Sequence, residues 1–277
     1  MSGPVLVGVD GSASSLVAVE TAAREADRLG VELRLAHAFE WPVTHVPPGV
    51  PPWEPGGNGA RGHAHGALTE AERRAHRAAP GLRVTHTVLM GEPAAVLETE
   101  SRGASLTVVG SRPVSRSAGV RRGSVAVRLT AHGDSPVLMV RGRPDPAGPV
   151  VLAADHGHLG RPAAEFAFAE ASARGTDVVV LNGFETADGR RDGYGDTLAA
   201  LRQEYPDVTV RRPRVRGGTR RAVVAASAHA QLVVIGTRGR GGFPGTPPTR
   251  VSRAALRHAD CPVAVIRATE EHPRPVR

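Results

Sequence analysis

The chain repeats itself. Val150-Val151-Leu152-Ala153-Ala154-Asp155 echoes the segment from Val5 to Asp10, displaced by 145 positions. Leu106-Thr107-Val108-Val109-Gly110 returns as Leu232-Val233-Val234-Ile235-Gly236, and Ser135-Pro136-Val137 as Cys261-Pro262-Val263, each 126 positions later. A period this long is a whole folding unit used twice, so any admissible fold must divide into two similar halves, each burying its own core. The 19-position difference between the two offsets is a deletion in the second copy, between its first and fourth apolar runs. There the first copy carries Trp41 to Gly66, rich in Pro and Gly, against only Glu185 to Gly193 in the second. Trp41 to Gly66 reads as structureless, either a lid over a ligand or a solvated insertion, with the insertion favoured. Pro144, Pro146 and Pro149 stiffen a linker from Arg141 to Pro149, which sets the expected domains at 1–143 and 149–270.

Within each copy, short apolar runs alternate with longer helical stretches, the pattern of βα units and a parallel sheet. The first run is Val5 to Val9, and the helix after it puts Leu16, Val19, Ala22, Ala26 and Leu29 on one face. Val31 to Leu35, Val84 to Leu89, Leu106 to Val109 and Val137 to Val140 complete five strands before the linker. Only 3% of residues are aromatic, so the cores must be built from Val, Leu and Ala, which suits buried parallel strands under Ala-rich helices. The expected fold class is α/β: two tandem five-stranded doubly wound parallel-sheet domains.

All 35 basic residues are Arg. Without lysine there is no P-loop lysine, no Schiff-base lysine and no lysine nucleophile, so a bound phosphate must be held by backbone N–H groups, hydroxyls or Arg. The net charge of +8 admits anionic partners without specifying one. Arg211-Arg212-Pro213-Arg214-Val215-Arg216 is the densest basic run; it lacks interleaved aromatics for base stacking and reads as a charged edge strand, so nucleic acid is disfavoured. A single cysteine, Cys261, excludes an intramolecular disulfide and reads as a small buried residue. His63 and His65, and the cluster Asp155-His156-Gly157-His158, find no third ligand at metal-site spacing and read as solvated loop residues. The start lacks a leader pattern and no apolar run approaches the ~20 residues that span a bilayer, so the expectation is a cytoplasmic protein with no membrane partner.

In a doubly wound sheet ligands bind beyond the carboxyl ends of the strands, where strand order reverses. Two features of each copy fall there: the acid ending the first strand, Asp10 or Asp155, and the Gly-rich loop after the fourth. In copy one that loop runs from Gly110 through Ser111 and Arg112 to Gly123-Ser124, where a helix begins. A helix N-terminus with a glycine ahead of it presents free N–H groups to an anion.

Val7-Gly8-Val9-Asp10-Gly11-Ser12, Gly91-Glu92-Pro93, Gly110, Gly123-Ser124 and Ser135-Pro136-Val137, with Gly236-Thr237-Arg238-Gly239-Arg240-Gly241-Gly242-Phe243 and His258-Ala259-Asp260-Cys261-Pro262-Val263 in copy two, resemble the universal stress protein family. The likeness extends over nearly the whole chain, in the tandem form of actinobacterial type. It implies a Rossmann-like domain of the adenine nucleotide alpha hydrolase kind with strand order 3-2-1-4-5. It also implies a cytoplasmic stress-response protein, pairing as a homodimer or through its own two halves.

ATP-binding members carry Gly-x2-Gly-x9-Gly-Ser/Thr after the fourth strand. Carried over, copy one reads Gly110-x2-Pro113-x9-Gly123-Ser124 and copy two Gly236-x2-Gly239-x9-Thr249-Arg250, so each copy departs at a different place. The resemblance implies ATP, with Mg as a companion ion, and candidate contacts at Gly8, Val9, Asp10, Gly11, Ser12, Ala38, Gly110, Ser111, Arg112, Gly123, Ser124 and Val125. The second-copy candidates are Asp155, Gly236, Arg238, Gly239 and Arg250, and copy one is the better-preserved site. Two readings stay open: a nucleotide sensor in which hydrolysis is slow and incidental, or a degenerate member acting as a protein-interaction module. No motif positions a general base, which disfavours a fast enzyme.

Overall fold

The computed structural model describes residues 3–39, 57–111, 125–143, 146–154, 160–182, 195–213, 215, 218–236 and 249–267. The chain divides into two compact units: residues 1–129 with 133–140, and residues 130–132 with 141–277.

The first unit runs β1 (Val5–Gly8), α1 (Ala13–Leu29), β2 (Leu33–Phe39), α2 (Gly57–Ala78), β3 (Val84–Met90), α3 (Pro93–Glu100), β4 (Leu106–Gly110), α4 (Val125–His132) and β5 (Val137–Val140). Its strands lie in the order β3-β2-β1-β4-β5, every described pairing parallel. Registers Val5↔Leu33 and Val5↔Leu106 set β1 between β2 and β4. The chain leaves β1 for β2 on one side and later returns to β4 on the other, so the strand order reverses between β1 and β4.

The second unit runs β6 (Val150–Ala154), α5 (Arg161–Arg174), β7 (Val178–Asn182), α6 (Gly195–Glu204), β8 (Val210–Arg211), α7 (Thr219–Ser227), β9 (Leu232–Gly236), α8 (Arg250–His258) and β10 (Val263–Ile266). Its order β10-β9-β6-β7-β8 is the same arrangement. The doubly wound parallel fold read from the sequence is therefore present in both copies.

The cores are aliphatic, as the scarcity of aromatics requires: Val5, Leu6, Val7, Leu33, Leu35 and Val108 in one, Val150, Leu152, Val178, Leu232 and Ile235 in the other, all fully buried. Ala18, Ala22, Ala23 and Ala26 let α1 lie close to its sheet. Leu29, expected on that face, is exposed. It is the last residue of α1, directly before Gly30, whose left-handed φ of 65° ends the helix. Gly175 closes α5 in the same way, 145 positions later.

Three expectations need correction. Residues 57–66 of the presumed structureless segment are helical, the first turns of α2. His63 and His65 are therefore helix residues and not loop residues; the remainder, 41–56, lies outside the described residues. The second strand is displaced, starting at Leu33 rather than Val31 and continuing to Phe39. The basic run forms a strand only at Val210–Arg211, and Arg211 pairs with Asp177, while Arg214 and Arg216 lie outside the described residues.

Candidate functional site

β1 delivers Asp10 to the carboxyl edge of the sheet, and the next five residues form a closed hydrogen-bonded turn. Asp10 Oδ1 accepts the Ser12 N–H at 3.0 Å and the Ser12 hydroxyl at 2.6 Å. Ser12 Oγ in turn accepts the Ser15 N–H at 3.2 Å, capping α1. The Ser15 hydroxyl returns to the Ser12 carbonyl at 2.9 Å. Gly11 takes φ +78°, a left-handed conformation that suits glycine, and so allows the carboxylate to fold back over the helix start. A carboxylate fixed at a helix N-terminus is favoured by the helix dipole, and two of its lone-pair sites are already committed.

The glycines expected to make room for a nucleoside have packing reasons of their own. A Cβ on Gly110 would stand 2.5 Å from the Ser14 carbonyl oxygen and 2.9 Å from the Ser15 amide, so this glycine lets β4 pass beneath the start of α1. A Cβ on Gly8 would meet Leu97 Cδ1 at 2.8 Å. Val9 donates its N–H to Ala36 O at 2.8 Å and accepts from His37 Nδ1 at 2.9 Å. A carbonyl only accepts, so Nδ1 carries the proton. His37 is buried beside Ala38 and pins the end of β1 to β2, a residue that sequence reasoning missed. Ser111 N–H extends the β4 ladder to Val140 O at 3.0 Å, and Val125 opens α4. Arg112, Gly123 and Ser124, the phosphate side of the expected site, lie outside the described residues.

α2 flanks this turn. A Cβ on Gly11 would lie 3.4 Å from Ala67 Cβ and 3.6 Å from His63 Nε2. Arg74 anchors α2 to α1 through Glu20 at 2.8 Å, and Glu70 joins the network through Arg73 and Arg74. The Arg73 guanidinium, seconded by Arg74, holds the Glu70 carboxyl down at about 2. The buried positions Ala64, Ala67, Leu68, Ala71 and Ala75 follow helical spacing, a signal present in the sequence but diluted by Gly62 and Gly66.

The motif Gly91-Glu92-Pro93 now has a local explanation. Gly91 turns the chain at φ +139°, Pro93 supplies the fixed φ of a first helical residue, and the Glu92 carboxylate caps α3 by accepting from Ala94 and Ala95 N–H at 3.1 and 3.0 Å. Glu92 also pairs with Arg128 of α4 at 2.7 Å.

In the second unit Gly236 plays the part of Gly110 more loosely: an added Cβ would meet Ala163 Cβ at 3.1 Å. Thr249 caps α8, its hydroxyl accepting from Ser252 N–H at 3.1 Å, so that hydroxyl is committed to the helix. Arg250 is exposed at the first position of α8. Asp155, Arg238 and Gly239 lie outside the described residues. Cys261 is fully buried, and burial with Asp260 alongside pushes its thiol up to about 12, so it is no nucleophile.

Together these features define a tandem, doubly wound α/β protein of Rossmann-like type, with a capped acidic turn at the strand-order reversal of its first unit. A family model described as "Universal stress protein family" matches residues 1–141 and 185–267. A universal stress protein of Mycobacterium tuberculosis is 32% identical over 307 aligned residues, which cover 96% of this chain and 96% of the relative. The chain belongs to the universal stress protein family. A solved universal stress protein from Archaeoglobus fulgidus superposes with TM-score 0.70 at 18% identity, covering 97% of this chain and 100% of that one. Another solved universal stress protein, in complex with cAMP, matches 50% of this chain and 98% of its own at 28% identity and TM-score 0.38. No described helix is long and apolar enough to cross a membrane.

Proposed function

We propose that the first domain binds an adenine nucleotide, ATP with Mg, and that the protein acts as a nucleotide sensor in a stress response rather than as a fast enzyme. The observation that carries this reading is the Asp10-Gly11-Ser12 turn, held by hydrogen bonds of 2.6 and 3.0 Å at the strand-order reversal. Its ionised carboxylate only accepts hydrogen bonds, a chemistry that suits ribose hydroxyls. Ala38 and Val9 would border the base, while Ser111, Arg112, Gly123, Ser124 and the Val125 amide would receive the phosphates. That chemistry uses backbone amides, a hydroxyl and Arg, and needs no lysine.

In the second domain Asp155, Gly236, Arg238, Gly239 and Arg250 make a weaker copy. The Thr249 hydroxyl is spent on its helix and Arg250 stands where a serine or threonine belongs.

The test is thermal melting with and without ATP-Mg. Saturation at a hundred times the dissociation constant stabilises a protein by about 2.7 kcal/mol. We expect the shift to vanish in Gly123→Arg and to persist in Gly239→Arg. No shift in the wild-type chain overturns the reading and leaves the protein-interaction module as the alternative.

A further inference from the structure

The second unit carries a groove of about 690 Å³ between α7 and α8. Five arginines line it, Arg220 and Arg221 from α7 and Arg250, Arg253 and Arg257 from α8, together with His258. The α8 arginines recur at helical spacing on the exposed face, while Val251, Ala254, Ala255 and Leu256 turn inward. Val224, Ala225 and Ala254 complete the lining.

None of the five guanidiniums is in an ion pair among the described residues. That contrasts with Arg28, Arg73, Arg74, Arg128, Arg161 and Arg174, each of which has a Glu within hydrogen-bonding reach. Placing five like charges around one concave surface costs free energy through mutual repulsion, and a bound anion relieves it.

In the first unit the matching positions carry an internal ion-pair network instead. Positions 126 residues earlier hold Glu92, Glu98 and Arg128, and Arg128 bridges α3 and α4 through both carboxylates, at 2.7 and 3.5 Å. Their second-unit counterparts are Gly218, Val224 and Ala254, small or apolar. The counterparts of Arg220, Arg221, Arg253 and Arg257 are Ala94, Ala95, Val127 and Ala131. The second copy has lost the bridging network and gained the cations.

The lining selects among anions. Every guanidinium is a donor with no acceptor capacity, and among the described residues no carboxylate or side-chain amide lines the groove, whose single ring is the His258 imidazole. A single-stranded nucleic acid would find no Phe, Tyr or Trp face among the described lining residues, and a peptide would bring N–H donors with at most the His258 imidazole to accept them. A ligand whose polar atoms are all acceptors, set several to a chain, satisfies the donors, and guanidinium meets phosphate with paired hydrogen bonds. We propose that the α7–α8 groove is a binding site for an inorganic phosphate chain, tripolyphosphate or longer. It is independent of the nucleotide reading of the first domain, since no residue is shared with the Asp10 site.

The experiment is calorimetric titration of the full chain with sodium tripolyphosphate and with a longer linear polyphosphate, at two salt concentrations. The expected result is salt-sensitive binding that weakens at least tenfold in Arg253→Ser/Arg257→Ser and is unchanged in Asp10→Ala. A second variant, Val224→Glu, keeps all five arginines and restores the carboxylate that the first unit tolerates as Glu98; it too should weaken binding at least tenfold. Far-UV circular dichroism checks that each variant is folded. Equal binding by wild type and both groove variants overturns the proposal. So does a DNA duplex of matched phosphate number that binds while tripolyphosphate does not, which would assign the groove to nucleic acid. Loss of ATP stabilisation without loss of tripolyphosphate binding would sink only the nucleotide reading.

Discussion

The α3–α4 pair and the groove between α7 and α8 occupy matching positions in two copies of one fold, yet they have opposite chemistry. In the first, Glu92 caps a helix and, with Glu98, holds Arg128, so charges are neutralised within the unit. In the second, glycine, valine and alanine stand at those positions and arginines rim the space. The frame beneath is unchanged. Ser101 Oγ donates to Glu98 O and accepts Asp134 N–H at 3.0 Å, and Ser227 Oγ does the same with Val224 O and Asp260 N–H at 2.9 Å. The two copies share this backbone arrangement and differ in the side chains on its surface. The sensitive positions for any comparison of the copies are therefore matched pairs, where the same substitution is made in both.

The largest difference is expected at the fourth-strand glycines. Gly110→Ala drives a methyl against the Ser14 carbonyl and the Ser15 amide, backbone atoms that cannot move without dislodging the start of α1. The cost should be about 3 kcal/mol, at the upper end for overpacking. Among the described residues Gly236→Ala crowds Ala163 Cβ at 3.1 Å, which a shift of a few tenths of an ångström relieves, and reaches Gly160 N at an ordinary 3.7 Å, so about 1 kcal/mol is expected. Urea denaturation of the two variants measures both; equal losses would mean that the two copies pack alike at this point.

These glycines also show what the sequence conveyed and what it hid. The repeat and the alternation of strands and helices were legible, because burial on both faces forces near-continuous runs such as Leu106 to Val109 and Leu232 to Ile235, whereas the strand order was implied by the family resemblance alone. The turn at Asp10 was legible as a place, since an acid followed by Gly and Ser at a strand end can do little else. The reason for Gly110 was not, because it depends on α1 crossing β4 nearly a hundred residues away in the chain. α2 was missed at its start because Gly57, Gly59, Gly62 and Gly66 obscured the alanine spacing that docks it on α1. The arginine groove stayed hidden because Arg220 and Arg221 meet Arg250 to Arg257 only once two helices lie side by side.

A smaller effect is expected at the entrance of the fifth strand. Thr107 Oγ1 and Ser135 Oγ share a buried hydrogen bond of 2.7 Å, where the second copy has Val233 and Cys261. Ser135→Ala leaves the fully buried Thr107 hydroxyl without that partner and should cost about 2 kcal/mol. The double change Thr107→Val/Ser135→Cys installs the second copy's pair and should cost less than the single one, because no buried hydroxyl is stranded. Chemical denaturation of the single and double variants tests this. If the costs simply add, the two pairs are not interchangeable solutions to one packing problem.

The smallest effect at neutral pH concerns the other member of that matched pair. Cys261 has no exposed surface, and its thiol is pushed up to about 12, by burial first and the Asp260 charge second. The folded chain therefore holds this proton more tightly than the unfolded chain, whose thiol titrates at the ordinary value of 9.0. Below that value the group has no effect on stability. As pH rises from about 9 toward 12 the unfolded chain releases the proton and the fold does not, so Cys261 makes stability fall across that window. Cys261→Ser, whose hydroxyl does not ionise there and which copies Ser135, should flatten that part of the stability curve. At pH 8 the native chain should also resist thiol-specific alkylation until denaturant unfolds it. Rapid stoichiometric labelling under native conditions would show that the fifth strand of the second copy opens far more readily than its complete burial implies.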